Sequence, residues 1–81
     1  MILDVPSINE IYLEKIDPNL NMSRYYRLSI ERTLFGEWSM VREWGRVGCR
    51  GQSREQWCAT REEARVLLAS HHARRLQRGY R

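Results

Sequence analysis

Five consecutive residues, Arg42-Glu43-Trp44-Gly45-Arg46, combine side-chain types that suit binding to an anionic polymer. If the backbone stays extended as far as residue 46, Arg42, Trp44 and Arg46 point to one face, because side chains alternate along a strand. An indole ring can stack on a base or a sugar, while guanidinium groups hold phosphate oxygens. The spacing therefore favours a surface that binds the backbone of a nucleic acid.

The same segment has a purely structural interpretation. Tryptophan in a small domain fills the core more often than it binds a ligand, and the flanking arginines are then simply solvated. The surrounding strand does not resolve this choice, because neither of its faces is cleanly apolar. One face holds Trp38, Met40, Arg42 and Trp44, and the other holds Ser39, Val41 and Glu43.

Charge is distributed unevenly along the 81 residues, whose net charge is +4. Residues 1–40 have a net charge of −2, and residues 41–81 have a net charge of +6. All basic side chains in residues 41–81 are arginines. Arginine presents a planar fork of donors that matches phosphate oxygens, and it also stacks on rings. The distribution indicates either an anionic partner or a solvated basic face.

Several protein classes do not fit this sequence. No apolar run approaches the roughly 20 residues that span a bilayer, and residues 1–6 lack the features of a secretory signal, so we expect a cytoplasmic protein without a membrane partner. No Ser/His/acid set suggests nucleophilic catalysis. The spacing of Cys49, Cys58, His71 and His72 does not suit zinc, and we interpret both cysteines as free thiols. We therefore predict a monomeric protein that is not an enzyme and has no cofactor and no small-molecule substrate.

The order of elements predicts an α+β fold. Alternating apolar residues indicate strands at about 11–16, 25–32, 38–44 and 52–58, with turn residues at 17–19 and a glycine-marked bend over 45–51. Short connections favour an antiparallel sheet, here a bent sheet of four to five strands with one C-terminal helix on it. Residues 1–9 are predicted to be a loosely ordered lead, and residues 10–81 one domain.

The helix has clear boundaries. Thr60 with Glu63 three residues later forms a capping box at its start, and Gly79 is a natural stop. Ala64, Leu67, Leu68, His71 and Leu76 recur at helical spacing and predict its buried stripe. Its arginines either extend a phosphate-binding track or serve solubility and the helix dipole. The remaining core candidates are Tyr26, Leu28, Ile30, Trp38 and Trp57.

Four patches in the same order resemble the WGR domain family. The first is the signature itself, Trp44-Gly45-Arg46-Val47-Gly48. The others are Asn21-x-x-Arg24-Tyr25-Tyr26, Gly51-Gln52 and Gly79-Tyr80. The resemblance runs from about residue 11 to residue 80 and is strongest to standalone bacterial WGR domain proteins.

The resemblance implies a bent antiparallel sheet with one helix and a role in DNA binding. WGR domains occur beside the catalytic domain of DNA-damage-responsive poly(ADP-ribose) polymerases, where the signature tryptophan packs on the sugar–phosphate backbone at a DNA break. By position, Trp44 would stack, Arg46 would anchor, and Gly45 would allow close backbone approach. We expect no polymerase domain in this protein, and its loop over 47–52 differs from the eukaryotic one.

Two functions follow as hypotheses. The first is a nucleic-acid-binding module that holds the DNA backbone or a DNA end, with Trp44 stacking while Arg42, Arg46 and Arg50 neutralise phosphates. The second is an adaptor that uses the same surface to dock on an acidic protein partner, for which tryptophan and arginine are common hot-spot residues.

Overall fold

A computed structural model describes residues 9–81, which form four strands and one long helix. The strands are β1 (Glu10–Asp17), β2 (Met22–Arg32), β3 (Trp38–Arg46) and β4 (Gln52–Cys58). Helix α1 spans Arg61–Gln77, and a single 3-10 turn at Pro18–Leu20 joins β1 to β2. The predicted α+β arrangement is confirmed. The predicted N-terminal lead, apart from Asn9, lies outside the described residues.

The strands form one antiparallel sheet in the order β1-β2-β3-β4, so each strand pairs with its neighbour in sequence. The register places Tyr26 opposite Trp44, and Met40 opposite both Ile30 and Gln56. Since opposite residues share a face, the apolar side chains of β2 determine which side of β3 is covered. That side carries Trp38, Met40, Arg42 and Trp44, and helix α1 packs against it.

Helix α1 begins where its sequence predicts and buries Ala64 and Leu68 of the predicted stripe. The Thr60 side chain accepts a hydrogen bond from the Glu63 amide at 3.1 Å, and the Glu63 carboxylate accepts one from the Ala59 amide at 3.0 Å. Both bonds satisfy donors that a helix start leaves unpaired. Ala64 and Leu68 are buried against the sheet beside the partly buried Leu67.

The helix ends in a Schellman motif that returns the chain to the core. Gly79 adopts a left-handed φ of 94°, and the Tyr80 amide donates to the Arg75 carbonyl at 3.1 Å. Tyr80 is thereby buried beside Tyr26, with their ring centroids 5.9 Å apart. Arg81 then exchanges two backbone hydrogen bonds with Glu14 of β1, which covers part of the outer edge of that strand.

Two core predictions are wrong. Trp57 is 57% exposed, because its partner in the register is Ser39 and its side chain therefore belongs to the face opposite the helix. Leu76 is 48% exposed and does not belong to the buried stripe. Within residues 9–81, no helix is both long enough and apolar enough to cross a membrane.

Candidate nucleic-acid interface

A cleft of about 370 Å³ opens on the helix-covered side of the sheet, where the C-terminal end of α1 crosses β2 and β3. Its lining joins three aromatic rings to four arginines from three different elements. The lining residues are Arg24, Tyr26, Arg42, Trp44, Gly45, Arg46, Arg75 and Tyr80. The lining of the cleft therefore combines aromatic rings with cationic groups.

Strand β3 brings Arg42, Trp44 and Arg46 together as alternation predicts. The strand continues through Arg46, so all three side chains project to the same face and line the cleft. Trp44 is partly buried and packs against the core. Its ring is nearly parallel to that of Tyr26, with centroids 6.2 Å apart, and the Arg42 guanidinium lies 5.5 Å from its centroid. The indole is thus both a core residue and a wall of the cleft.

Arg75 reaches the cleft from the helix and lies among the tyrosine rings. Its guanidinium is 4.2 Å from the Tyr26 ring centroid and 5.8 Å from that of Tyr80, within the range of cation–π attraction. The Nε atom of Arg75 is buried and has no hydrogen-bond partner among residues 9–81. A buried donor left unpaired is costly, so an anion that accepts from this arginine would offset that cost.

No carboxylate among residues 9–81 forms an ion pair with a cleft arginine. The ion pairs within residues 9–81 are Arg27 with Glu10 and Arg65 with Glu62, and both lie elsewhere. Arg42 donates to the Tyr26 hydroxyl at 3.3 Å, and Arg46 donates to the Asn21 carbonyl at 3.4 Å. These neutral acceptors orient the guanidinium groups but leave their charge uncompensated, which makes the cleft attractive to anions.

The other two proposed site residues lie differently. Gly45 borders the cleft, but its close backbone neighbour belongs to the chain itself: an added Cβ would come within 2.8 Å of the Gly51 Cα. Arg50 is exposed in the turn between β3 and β4 and is not among the residues that line the cleft. If Arg50 contacts a bound polymer, it does so outside the cleft.

Sequence reasoning did not select Arg24, Arg75, Tyr26 and Tyr80 as site residues. A signal for Arg75 was present, since it follows Leu68 and His71 at spacings of seven and four residues and thus continues the buried stripe of the helix. A basic residue on a core-facing stripe marks the point where the helix passes beyond the apolar core. Arg24 lies opposite Arg46 in the register, which only strand pairing reveals.

His71 gives this region a titratable group. Burial lowers the pKa of its imidazole, and the positive charges of Arg42, Arg74 and Arg75 lower it further. The unfolded chain then takes up this proton near pH 6.5 and the folded chain only at lower pH. Folding stability consequently falls as the pH drops below about 6.5 and levels off below the folded pKa.

We therefore expect His71→Gln to reduce the loss of stability between pH 7.5 and pH 5.5 in thermal or urea unfolding. The matched variant His72→Gln retains His71 and should lose stability over this range as the native protein does. Equal pH dependence in native protein and His71→Gln would contradict this assignment.

Comparison with known proteins places this geometry in a family. The family model for the WGR domain matches residues 9–81. The chain belongs to the WGR domain family. It is 41% identical over 71 residues to the uncharacterized protein y4dW of Sinorhizobium fredii, an alignment that covers 88% of this chain and 35% of that protein. The chain thus spans about a third of the length of this relative. No solved structure matches it.

The WGR signature residues occupy defined places in the cleft. The tryptophan and the arginine line it, and the glycine between them permits the close contact of β3 with the following bend. WGR domains are associated with nucleic-acid binding in proteins related to poly(ADP-ribose) polymerases. Within residues 9–81, no three His, Cys, Asp or Glu side chains are grouped so that they could hold a metal ion.

Proposed function

We propose that this WGR domain is a non-enzymatic module that binds the sugar–phosphate backbone of DNA, with a preference for ends or breaks. The observation that carries the proposal is the cleft, whose lining combines three aromatic rings with four arginines that have no carboxylate partner in the part of the chain that the structure describes. Guanidinium groups bind phosphate oxygens, and an aromatic wall packs on a sugar or a base.

The arrangement favours backbone binding over sequence recognition. The cleft arginines come from two strands and the end of a helix, and the helix lies against its own sheet with Ala64 and Leu68 buried, so it does not project as a recognition helix would. A cleft of about 370 Å³ is large enough for a short stretch of sugar–phosphate backbone but too small for a DNA duplex. Affinity should therefore depend strongly on salt and only weakly on sequence.

A fluorescence anisotropy titration tests this function. The native protein is mixed with labelled duplexes that carry a nick, an accessible blunt end or no accessible end, at about 50 mM and about 200 mM salt. We expect tighter binding to the nick and the blunt end, and a clear loss of affinity at the higher salt. Trp44→Ala and Arg46→Ala should weaken binding, the former by roughly the 1–3 kcal/mol of one stacking contact.

Arg27→Gln is the matched control, because it removes one positive charge from the opposite face of the sheet, where Arg27 is paired with Glu10. Circular dichroism must show every variant folded. No binding at low salt contradicts the proposal, as does equal weakening by Arg27→Gln and Arg46→Ala. Salt-sensitive, saturable binding to an acidic protein in place of DNA would favour the adaptor function instead.

A further inference from the structure

The connection between β2 and β3 carries two large apolar side chains in nearly complete contact with solvent. Leu34 is 99% exposed and Phe35 is 86% exposed. An isolated exposed leucine is ordinary, but two adjacent apolar side chains at the end of a protruding hairpin are not. We call Leu34 and Phe35 the hairpin tip.

The hairpin tip is held in a defined conformation. The Thr33 hydroxyl accepts hydrogen bonds from the amides of Phe35 and Glu37 at 3.2 and 3.1 Å. The backbone of Thr33 pairs with Glu37 at 2.8 Å and with Gly36 at 3.0 Å. Gly36 takes the left-handed φ of 83° that the turn requires. The two apolar side chains are therefore presented on an ordered turn, which lowers the entropy lost when they dock.

A second unmatched apolar feature lies at the same end of the sheet. The edge strand β4 and helix α1 border a groove of about 530 Å³ whose lining includes Cys58, Val66 and Leu67 and, although its side chain starts from the other face of β4, Trp57. Trp57 is 57% exposed and Val66 is 62% exposed. Trp38 pairs with both Arg32 and Cys58, so the base of the hairpin and the end of β4 are neighbours. We call this feature the edge groove.

We infer that the hairpin tip of one copy inserts into the edge groove of a second copy, and that the two copies form a reciprocal dimer. Because the tip and the groove lie at one end of the sheet, a twofold axis beside that end lets each copy give a tip and receive one. The contact then closes on itself and does not propagate into a fibre.

Charge favours a second copy over a membrane or a nucleic acid as the occupant. The hairpin from residue 31 to residue 37 carries Glu31, Glu37 and the single cation Arg32, so its net negative charge disfavours the phosphates of a lipid surface or a polynucleotide. The rim of the edge groove carries Glu63, which has no ion-pair partner among residues 9–81, and Glu62, which pairs with Arg65; Arg32 at the base of the hairpin has the opposite charge to both acids. Reciprocal docking would bring each Arg32 towards the acidic rim of the other copy.

The dimensions suit a weak but specific association. A docked phenylalanine alone buries about 150–250 Å². With leucine beside it, the groove walls opposite and the whole contact made twice, the interface approaches the about 1,200 Å² at the lower end of specific interfaces. We therefore expect a dissociation constant in the micromolar range.

Sedimentation equilibrium of the full chain tests the inference. From about 1 μM to about 1 mM, the weight-average mass should rise from that of a monomer towards that of a dimer. Leu34→Ser/Phe35→Ser in the tip and Val66→Glu in the groove should each raise the dissociation constant at least about tenfold, since all three side chains are exposed in the monomer and only the dimer buries them.

Two further samples sharpen the test. Leu20→Ser is the matched control, because Leu20 is 67% exposed in the turn at the opposite end of the sheet and should leave the dimer intact. An equimolar mixture of the tip variant and the groove variant regains one of the two contacts, so it should associate more strongly than either variant alone.

Several outcomes would overturn the inference. A native protein that stays monomeric up to the highest concentration overturns it, and the tip would then dock into a pocket of a different protein. The inference is also overturned if association persists in both the tip and the groove variant, or if Leu20→Ser weakens it as much as they do. The inference does not depend on the proposed function, because the cleft lies at the far end of β2 and β3; a tip variant that no longer dimerises should keep its affinity for DNA.

Discussion

Replacing Gly51 with alanine should destabilise this WGR domain by about 3 kcal/mol or more, at the upper end of the cost of overpacking. A Cβ at Gly51 would overlap the Trp44 carbonyl oxygen and the Tyr25 hydroxyl. Neither neighbour can move freely. The first is the backbone of β3, and the Tyr25 hydroxyl donates to the Glu43 carboxylate at 2.9 Å. Burial and this bond also raise the pKa of Tyr25, so the phenol stays protonated and keeps donating.

The loss should be visible as a large fall in the midpoint of thermal or urea unfolding. In so small a domain it is a large part of the total stability, so an unfolded variant is also an expected result. Gly48→Ala is the matched control. Gly48 has a left-handed φ of 86°, but no atom lies within 4 Å of its added Cβ. Gly48→Ala should therefore lower the free energy of unfolding by only about 1–2 kcal/mol, the ordinary strain of a left-handed alanine. Equal losses in the two variants would contradict the prediction that crowding at Gly51 costs more than the strain of a left-handed alanine at Gly48.

The second large effect is expected from the arginines that line the cleft from β2 and α1. Arg24→Gln/Arg75→Gln should lower the affinity for DNA at least about tenfold, because hydrogen bonds to charged groups contribute about 1.5–3 kcal/mol each. The dependence of log K on log salt should become shallower by about 2, since two phosphate contacts are lost. Neither residue belongs to the signature, so this variant tests whether DNA contacts the whole cleft or only Arg42, Trp44 and Arg46 on β3.

The measurement is anisotropy at four or more salt concentrations, with Arg27→Gln again as the control for charge. Because Arg75 packs on Tyr26 at 4.2 Å, its loss also removes a packing contact, and Arg24→Gln alone separates the two effects. Arg24 is exposed, so that single variant should keep the stability of the native protein and make the salt dependence shallower by about 1. Unchanged affinity in the folded double variant would restrict binding to Arg42, Trp44 and Arg46.

The amino-acid sequence by itself determined much of this protein. Local signals were sufficient wherever the physics is local: the cap at Thr60, the left-handed stop at Gly79, the 3-10 turn after Asp17 and the alternation of β2. Alternation along one strand also predicted that Arg42, Trp44 and Arg46 share a face if the strand extends to residue 46, and β3 does extend that far.

Only the tertiary structure decided which side of β3 is covered and what meets there. The face of a strand with mixed character is set by its partners, and the register with β2 and β4 directed Trp44 to the helix side and Trp57 away from it. The same pairing placed Arg24 beside Arg46, and the length of α1 carried Arg75 to Tyr26. The cleft joins residues that are up to 56 positions apart in sequence, and local preference cannot specify contacts that only the packing of separate elements creates.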